Sequence, residues 1–303
     1  MYDVIIIGSG PAGLSAAIYA KRAALSTLVI EKNPLSGGQI LNTYEVDNYP
    51  GLPKISGMEL GQKMRAHAEE QQVTFVTATV TRLRDCGDYK IVSTDGEEYQ
   101  TKSVVLAMGA SHRQLGVPGE EELCGMGVSY CATCDGAFFK NREVAVVGGG
   151  DVALEDALFL ARGCSKVHLI HRRDAFRGAK VLQNQVAQSD RIVCHMDTEV
   201  EQIVGEDMVE KLLIYNKKEQ TREELPVQGI FIAVGIVPNT GQMEGLPQMD
   251  EQGYLVAGED GATGVPGIFV AGDCRTKQLR QVITATADGA NAITSVERYL
   301  YHM

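Results

Sequence analysis

Positive charge, cysteine and long apolar runs are all scarce in this chain. Twenty-eight Lys and Arg face 39 Asp and Glu, a formal net charge of −11, and a field of that sign opposes binding to nucleic acid or to an anionic membrane. The longest apolar stretches, such as GIFIAVGIVP at 229–238, fall well short of the roughly 20 residues that span a bilayer. The opening MYDVIIIGSG has no basic leader, no long apolar segment and no cleavage site, so no secretory or transit peptide is expected and the expected location is cytoplasmic. Of seven cysteines, Cys86, Cys124, Cys164, Cys194 and Cys274 stand singly in apolar surroundings and are expected to be small buried hydrophobes. A reducing compartment disfavours a structural disulfide framework, which leaves the one C-x-x-C pair as a redox or metal-binding element.

Glycine is the residue in excess, 33 in 303, and two domains, or one interrupted by another, are expected at this length. Tyr2 to Ile7 is a short apolar run typical of a buried parallel strand; GSGPAG, a helix-like segment and the second strand-like run TLVIEK follow it. Gly8, Gly10 and Gly13 fill a G-x-G-x-x-G pattern that turns the chain, admits a pyrophosphate and lets helix and strand pack closely. The free N–H groups at the helix start face the phosphates. Glu31, at the end of the second strand, is placed to accept a hydrogen bond from a ribose hydroxyl.

The same order recurs at 143–178, where Gly148, Gly150 and Ala153 take the three small positions. Here the terminal acid is replaced by His171, Arg172 and Arg173, with Arg177 a turn further on. A ribose 2′-phosphate is repelled by an acid and gripped by a guanidinium, so the second unit is expected to prefer NADP(H) and the first a nucleotide with free ribose hydroxyls. The competing reading of HRRDAFR is a solvated basic cap on a helix. Alternating segments at 74–110 and 199–235 read as β-meanders, and a helical tail from about Arg280 to Tyr301 returns to complete the first domain. Crossings are expected near 111–120 and 241–250, both of which carry Gly and Pro. The expected division is 1–113 and 246–303 for the first domain and 114–245 for the inserted one.

Cys131 and Cys134 sit at the edge of the inserted domain, followed at once by Asp135. Zinc needs about four ligands, and beyond Cys124 and His112 no second ligand pair is present. Inert buried thiols are a second reading. A dithiol/disulfide couple is the favoured one: a two-residue gap on a turn allows the sulfurs to bond, one thiol attacks a substrate disulfide, and the other resolves the mixed disulfide. Asp135 could shuttle a proton to the departing thiolate or serve only as a turn acid before Gly136. NADPH delivers a hydride, and a flavin is the intermediary that converts hydride into electrons for sulfur, which points to FAD in the first unit.

Taken together, GSGPAG with VIEK, GGQI (37–40), VDNYPG (46–51), CATCDG (131–136), GGGDVALEDA with HRRDAFR, GIFVAGD (267–273) and RQVITATADG (280–289) resemble the low-molecular-weight, bacterial-type thioredoxin reductases over essentially the whole length. The resemblance implies an α/β fold of two Rossmann-like, three-layer ββα dinucleotide-binding domains, the NADPH domain inserted into the FAD domain. It implies FAD contacts from Gly8, Gly10, Pro11, Ala12, Gly13, Glu31, Lys32, Gly38, Gln39, Asn48, Ala107, Gly109, Gly272, Asp273, Arg280, Gln281 and Val282. Asp273 would bond the ribityl or phosphate end, while Arg280, Gln281 and Val282 close over the ring. NADPH contacts would come from Gly148, Gly150, Asp151, Ala153, His171, Arg172, Arg173 and Arg177, and no metal is implied. Cys131 and Cys134 would be the redox pair and Asp135 the acid; the partner would be thioredoxin, the assembly a homodimer, and the inserted domain would rotate between half-reactions. Val152 and Met108 depart from the usual pattern without removing a charge or a glycine. Among the alternatives, an alkyl hydroperoxide reductase core carries an additional N-terminal redox domain, a dithiol oxidase would not need HRRDAFR, and a nucleotide sensor would leave the cysteine pair unexplained.

Overall fold

The computed structural model describes every residue except Tyr44, Glu45, Gln242, Glu244, Leu246 and Met303. The chain forms two compact units, one from Met1–Leu41, Tyr49–Ser111 and Val237–Met303, the other from Asn42–Asn48 and His112–Ile236. The change of unit at Ile236/Val237 precedes the expected crossing at 241–250, of which residues 242, 244 and 246 lie outside the described residues. Hydrogen bonds explain the earlier change: Asn239 donates from its backbone to Gly109 O (3.0 Å) and from Nδ2 to Met108 O (2.9 Å). Thr240 Oγ1 donates to Gly253 O (2.8 Å), so the segment after Val237 is already tied into the first unit.

In the first unit the strands Thr74–Thr77, Thr27–Glu31, Tyr2–Ile7, Glu98–Leu106 and Ile268–Val270 form a parallel sheet. Side chains alternate across it. Val4, Ile6, Val29, Val105 and Phe269 are buried with residues of the helices Pro11–Arg22 and Val282–Tyr301, whereas Ile5, Ile7, Leu28, Val104 and Ile268 are buried with Leu83 and Val92 of the meander strands Val80–Asp85 and Lys90–Thr94. Strands apolar on both faces are what a sheet covered on both sides requires. Thr74–Thr77, expected in the meander, instead pairs in parallel with Thr27–Glu31, because the helix Gly57–Glu70 supplies a crossover.

The second unit repeats the scheme. Its parallel sheet runs Ile192–His195, Lys166–Ile170, Glu143–Val147, Gly229–Ile232, Val128–Ser129. One face buries Val144, Val146, Val167 and Leu169 with Leu154, Ala157 and Leu160 of the helix Asp151–Leu160. The other buries Ala145, Val147 and Ile170 with the antiparallel strands Thr198–Val204, Lys211–Asn216 and Thr221–Pro226. Gly229–Ile232 is thus a core strand rather than the end of a meander. Both units have the three-layer ββα arrangement. No described helix is long and apolar enough to cross a membrane.

Candidate active site

Cys131 and Cys134 are joined in a disulfide, with Cα atoms 5.3 Å apart. Cys131 is extended and caps the single helical turn Ala132–Asp135, and its carbonyl oxygen accepts the N–H groups of Cys134 (3.2 Å) and Asp135 (3.1 Å). Buried Ala132 anchors that turn in the unit's core, while both cysteines stay half-buried. A bridged, half-buried pair fits the dithiol/disulfide reading. Of the five remaining cysteines only Cys164 and Cys274 are fully buried; Cys124 is half-buried and Cys86 and Cys194 are exposed. The expectation of five buried thiols fails where Cys86 enters a turn after Val80–Asp85 and Cys194 lies on the edge strand of its sheet.

Asp135 Oδ2 accepts the Ser129 hydroxyl at 2.6 Å, and its Oδ1 is buried with no partner. Burial pushes the Asp135 carboxyl up, and the Ser129 bond only partly opposes this.

In the first unit the loop after Tyr2–Ile7 is built by close approach. A Cβ on Gly8 would lie 2.4 Å from Ala107 O, and one on Gly13 would lie 2.0 Å from Gly8 O. Gly10 differs, since a Cβ there would meet only Gly37 O at 3.9 Å. The protein itself does not require glycine at that point, whereas a pyrophosphate lying on the backbone does. Pro11 occupies the first helical position. Glu31 accepts the Ser9 N–H (2.7 Å), the Ser9 hydroxyl (2.9 Å) and the Asn33 N–H (3.0 Å), which fixes it beside the loop. Gly38 and Gln39 begin a short 3₁₀ turn, and Gln39 Nε2 donates to Ala110 O. Lys32 is exposed, and Gly109 has a positive φ of 66°. Asn48 lies in the segment that belongs to the second unit.

Gly272 packs against the glycine loop, where its Cβ would meet that of Ala12 at 2.8 Å. The next residue, Asp273, has a buried Oδ1 without a partner; burial raises its pKa against the charges of Lys277 and Arg280. Such an orphaned acceptor fits a hydroxyl donor of a bound FAD. Arg280 lies 4.2 Å over the Tyr254 ring and donates to Asp273 O (3.4 Å), and Gln281 and Thr284 form a reciprocal cap at the start of the helix that begins at Val282. Sequence reasoning missed what holds this corner together. Asp288 accepts two bonds from Arg275 (2.9 and 2.7 Å), one from Lys277 (2.8 Å) and one from the Gly272 N–H (2.9 Å), with the Arg275 and Asp288 side chains 8% and 6% exposed. ADG within RQVITATADG gives no local sign that its acid turns inward.

In the second unit a Cβ on Gly148 would sit 2.4 Å from Ala233 O, whereas Gly150 has nothing within 4 Å, the same open cradle as Gly10. Asp151 Oδ1 accepts the Ala179 N–H (2.6 Å), and Gly149 O accepts the N–H groups of Arg177 (2.7 Å) and Gly178 (3.2 Å), so the basic segment is fastened to the glycine loop. His171 does not join the exposed cations. It is buried, its ring fills the space where a Cβ on Gly149 would lie 2.2 Å away, and its Nε2 bonds Ala175 O (3.1 Å). Burial, then the neighbouring arginines, lower its pKa, so it supports the loop as a neutral ring. Arg172, Arg173 and Arg177 are exposed, with no ion pair among the described residues. Three unneutralised guanidiniums beside an open glycine cradle fit a dinucleotide carrying an extra phosphate. Val152, which departs from the usual pattern, is exposed, and Met108 packs against the sheet core while its backbone carbonyl accepts Asn239 Nδ2.

Two dinucleotide-type units, one bearing a disulfide, define a nucleotide-linked disulfide oxidoreductase. The Pyridine nucleotide-disulphide oxidoreductase family model matches residues 2–289, and the chain belongs to that family. It is 44% identical over 301 residues to a thioredoxin reductase of Listeria innocua, a match covering 99% of this chain and 94% of the relative. The crystal structure of a thioredoxin reductase from Streptococcus pyogenes superposes with a TM-score of 0.95 at 44% identity, covering 100% of this chain and 99% of that one. A Lactococcus lactis thioredoxin reductase solved in its FR conformation gives 0.69 at 41% identity, with 100% of both chains covered.

The Asp288 cluster yields a stability test. Burial alone would raise the Asp288 pKa, but the bonds from Arg275 and Lys277 outweigh it and the net shift is downward. Its stabilisation is therefore complete above the unfolded carboxyl value of about 3.9 and is lost as pH falls through the lower folded value. Urea unfolding should show Asp288→Asn less stable by about 3 kcal/mol at pH 7, since two buried cations lose their partner, and less dependent on pH below about 4 than the wild type.

Proposed function

We propose that the chain is an NADPH-dependent, FAD-containing enzyme that reduces the disulfide of a thioredoxin, electrons passing from NADPH through FAD to the Cys131–Cys134 pair and on to the substrate. The observation that carries this reading is a half-buried disulfide on the same parallel sheet unit as a glycine cradle flanked by Arg172, Arg173 and Arg177. When bound, NADPH would supply a hydride and FAD would supply the conversion of that hydride into the electron pair a disulfide takes up. The chain's own residues do the rest.

FAD is held by Gly8, Gly10, Pro11, Ala12 and Gly13 at its pyrophosphate, by Glu31 and Lys32 at the ribose end, and by Gly38, Gln39, Asn48, Ala107 and Gly109 along its length. Gly272, Asp273, Arg280, Gln281 and Val282 close the other end. NADPH is held by Gly148, Gly150, Asp151 and Ala153, with Arg172, Arg173 and Arg177 on the 2′-phosphate and His171 shaping their loop. Asp135 moves a proton for the cysteines. Because the second unit carries both the NADPH cradle and the disulfide, it turns between half-reactions about the two connections, presenting each in succession. The working form is a homodimer in the cytoplasm. The 43–44% identity to thioredoxin reductases supports thioredoxin as partner, the net charge of −11 argues against nucleic acid or an anionic membrane, and five free cysteines suit a reducing compartment.

Three outcomes are expected. Arg172→Ala with Arg173→Ala raises the Michaelis constant for NADPH by more than about tenfold, since hydrogen bonds to charged groups contribute roughly 1.5–3 kcal/mol each, and leaves that for NADH little changed; an equal effect on both nucleotides would remove the arginines from the 2′-phosphate. Cys134→Ser keeps bound flavin, measured by absorbance, while abolishing thioredoxin reduction, and retained reduction would point to another sulfur. A cross-link that locks the two units leaves one half-reaction intact in stopped-flow measurements and stops turnover; unimpaired turnover would rule out the rotation.

A further inference from the structure

Ser129 lies at the end of the short strand Val128–Ser129, in register with Phe231 of a core strand, and is 6% exposed. Its hydroxyl oxygen accepts the Cys131 N–H at 3.1 Å, and its proton goes to Asp135 Oδ2 at 2.6 Å; the alternative acceptor, Cys131 O, is 3.4 Å away. One rigid side chain thus touches both the first residue of the redox turn and its acid. Asp135 Oδ1 is the carboxyl oxygen left buried and unpartnered. A proton on Oδ2 would force Ser129 to turn its hydrogen toward the distant Cys131 O, whereas a proton on Oδ1 leaves every bond in place.

From this geometry we infer that Ser129 is a positioning residue for disulfide exchange, one that holds Oδ2 and thereby assigns the transferable proton to Oδ1 of Asp135. The inference deepens the proposed thioredoxin reduction and rests on it. In the exchange, a thiol of the reduced pair gives its proton to Oδ1, and its thiolate attacks the substrate disulfide. The substrate S–S bond breaks as a mixed disulfide forms, and the departing sulfur leaves as a thiolate. The second cysteine attacks the mixed disulfide, the Cys131–Cys134 bond re-forms, and two electrons have moved from dithiol to substrate. The two substrate sulfurs take up the two thiol protons, one of them returned by Asp135, whose carboxylate Ser129 stabilises in the interval. Burial drives the Asp135 pKa upward and the Ser129 bond draws it part of the way back.

Other titratable groups surround this turn. Cys124, Glu120, Glu121 and Tyr130 stand on the segment before it, the Cys124 thiol being pushed up by burial and then by Asp135. The helix Asp151–Leu160, which packs against the redox turn, carries Asp151, Glu155 and Asp156; burial, then Glu155, push Asp156 up to about 7.

The test reduces the flavin-loaded protein with dithiothreitol, removes the reductant anaerobically, and follows transfer to oxidised thioredoxin from pH 5 to 9 by acid quench and alkylation. Ser129→Ala should slow transfer about tenfold and move the acid limb of the profile up by roughly one pH unit, because the Asp135 carboxylate loses its donor. Ser129→Thr should restore rate and profile, and Ser129→Ala in an Asp135→Asn background should be no slower than Asp135→Asn alone. A slower rate with an unmoved limb, or losses that add, would make Ser129 merely structural and overturn the inference. If the alanine variant does not retain flavin, Ser129→Gly removes the same hydroxyl with less steric demand and is read by the same criteria. Wild-type protein that transfers nothing to thioredoxin would instead defeat the proposed function, leaving a distinct signature from failure of the Ser129 role.

Discussion

The carbonyl oxygen of Gly8 would stand 2.0 Å from any Cβ on Gly13, and this contact between strand end and helix start sets the geometry of the first unit. It brings the helix Pro11–Arg22 so close to the sheet that its free N–H groups open over the strand ends, where Gly10 leaves room for a pyrophosphate. The second unit reaches the same result with a different contact, Gly148 against Ala153 and Ala233. In both, apolar strands covered on two faces hold the loop still, so the phosphate cradle is a consequence of core packing.

Anion binding by a protein with a net charge of −11 needs positive charge concentrated locally. The two units manage this in opposite ways. In the first, Arg275 and Lys277 are buried and consumed by Asp288, so they order the loop that carries Asp273 and leave Arg280 to lie over Tyr254. In the second, Arg172, Arg173 and Arg177 are exposed and unneutralised, and buried, neutral His171 props up their loop from beneath. A cation paired inside the fold rigidifies it; a cation left open can pair with a ligand.

The redox turn applies the same economy to a proton. Burial raises the pKa of the Asp135 carboxyl beside the cysteine pair. One hydroxyl from Ser129 offsets part of that rise while leaving the second carboxyl oxygen unpartnered. The backbone of Cys131 ties cysteine, serine and acid into one small unit.

Sequence by itself determined the features whose cause is local. Strand, glycine loop, helix and strand at Tyr2–Glu31 and Glu143–Ile170 follow from apolar runs and from residues that lack a Cβ, and a two-residue gap on a turn allows the Cys131–Cys134 pairing. Tertiary structure alone decided matters that depend on which distant segments meet. It put Thr74–Thr77 in the parallel sheet, moved a change of unit to Ile236/Val237, and sank His171 beneath Gly149 while its neighbours stayed exposed. It also joined Ser9 to Glu31 across 22 residues and Asp288 to Arg275 across 13. A local pattern reports what one segment can adopt, but whether an Asp, His or Ser faces water or a buried partner is settled by burial and hydrogen-bond satisfaction, and those exist only once the layers have packed.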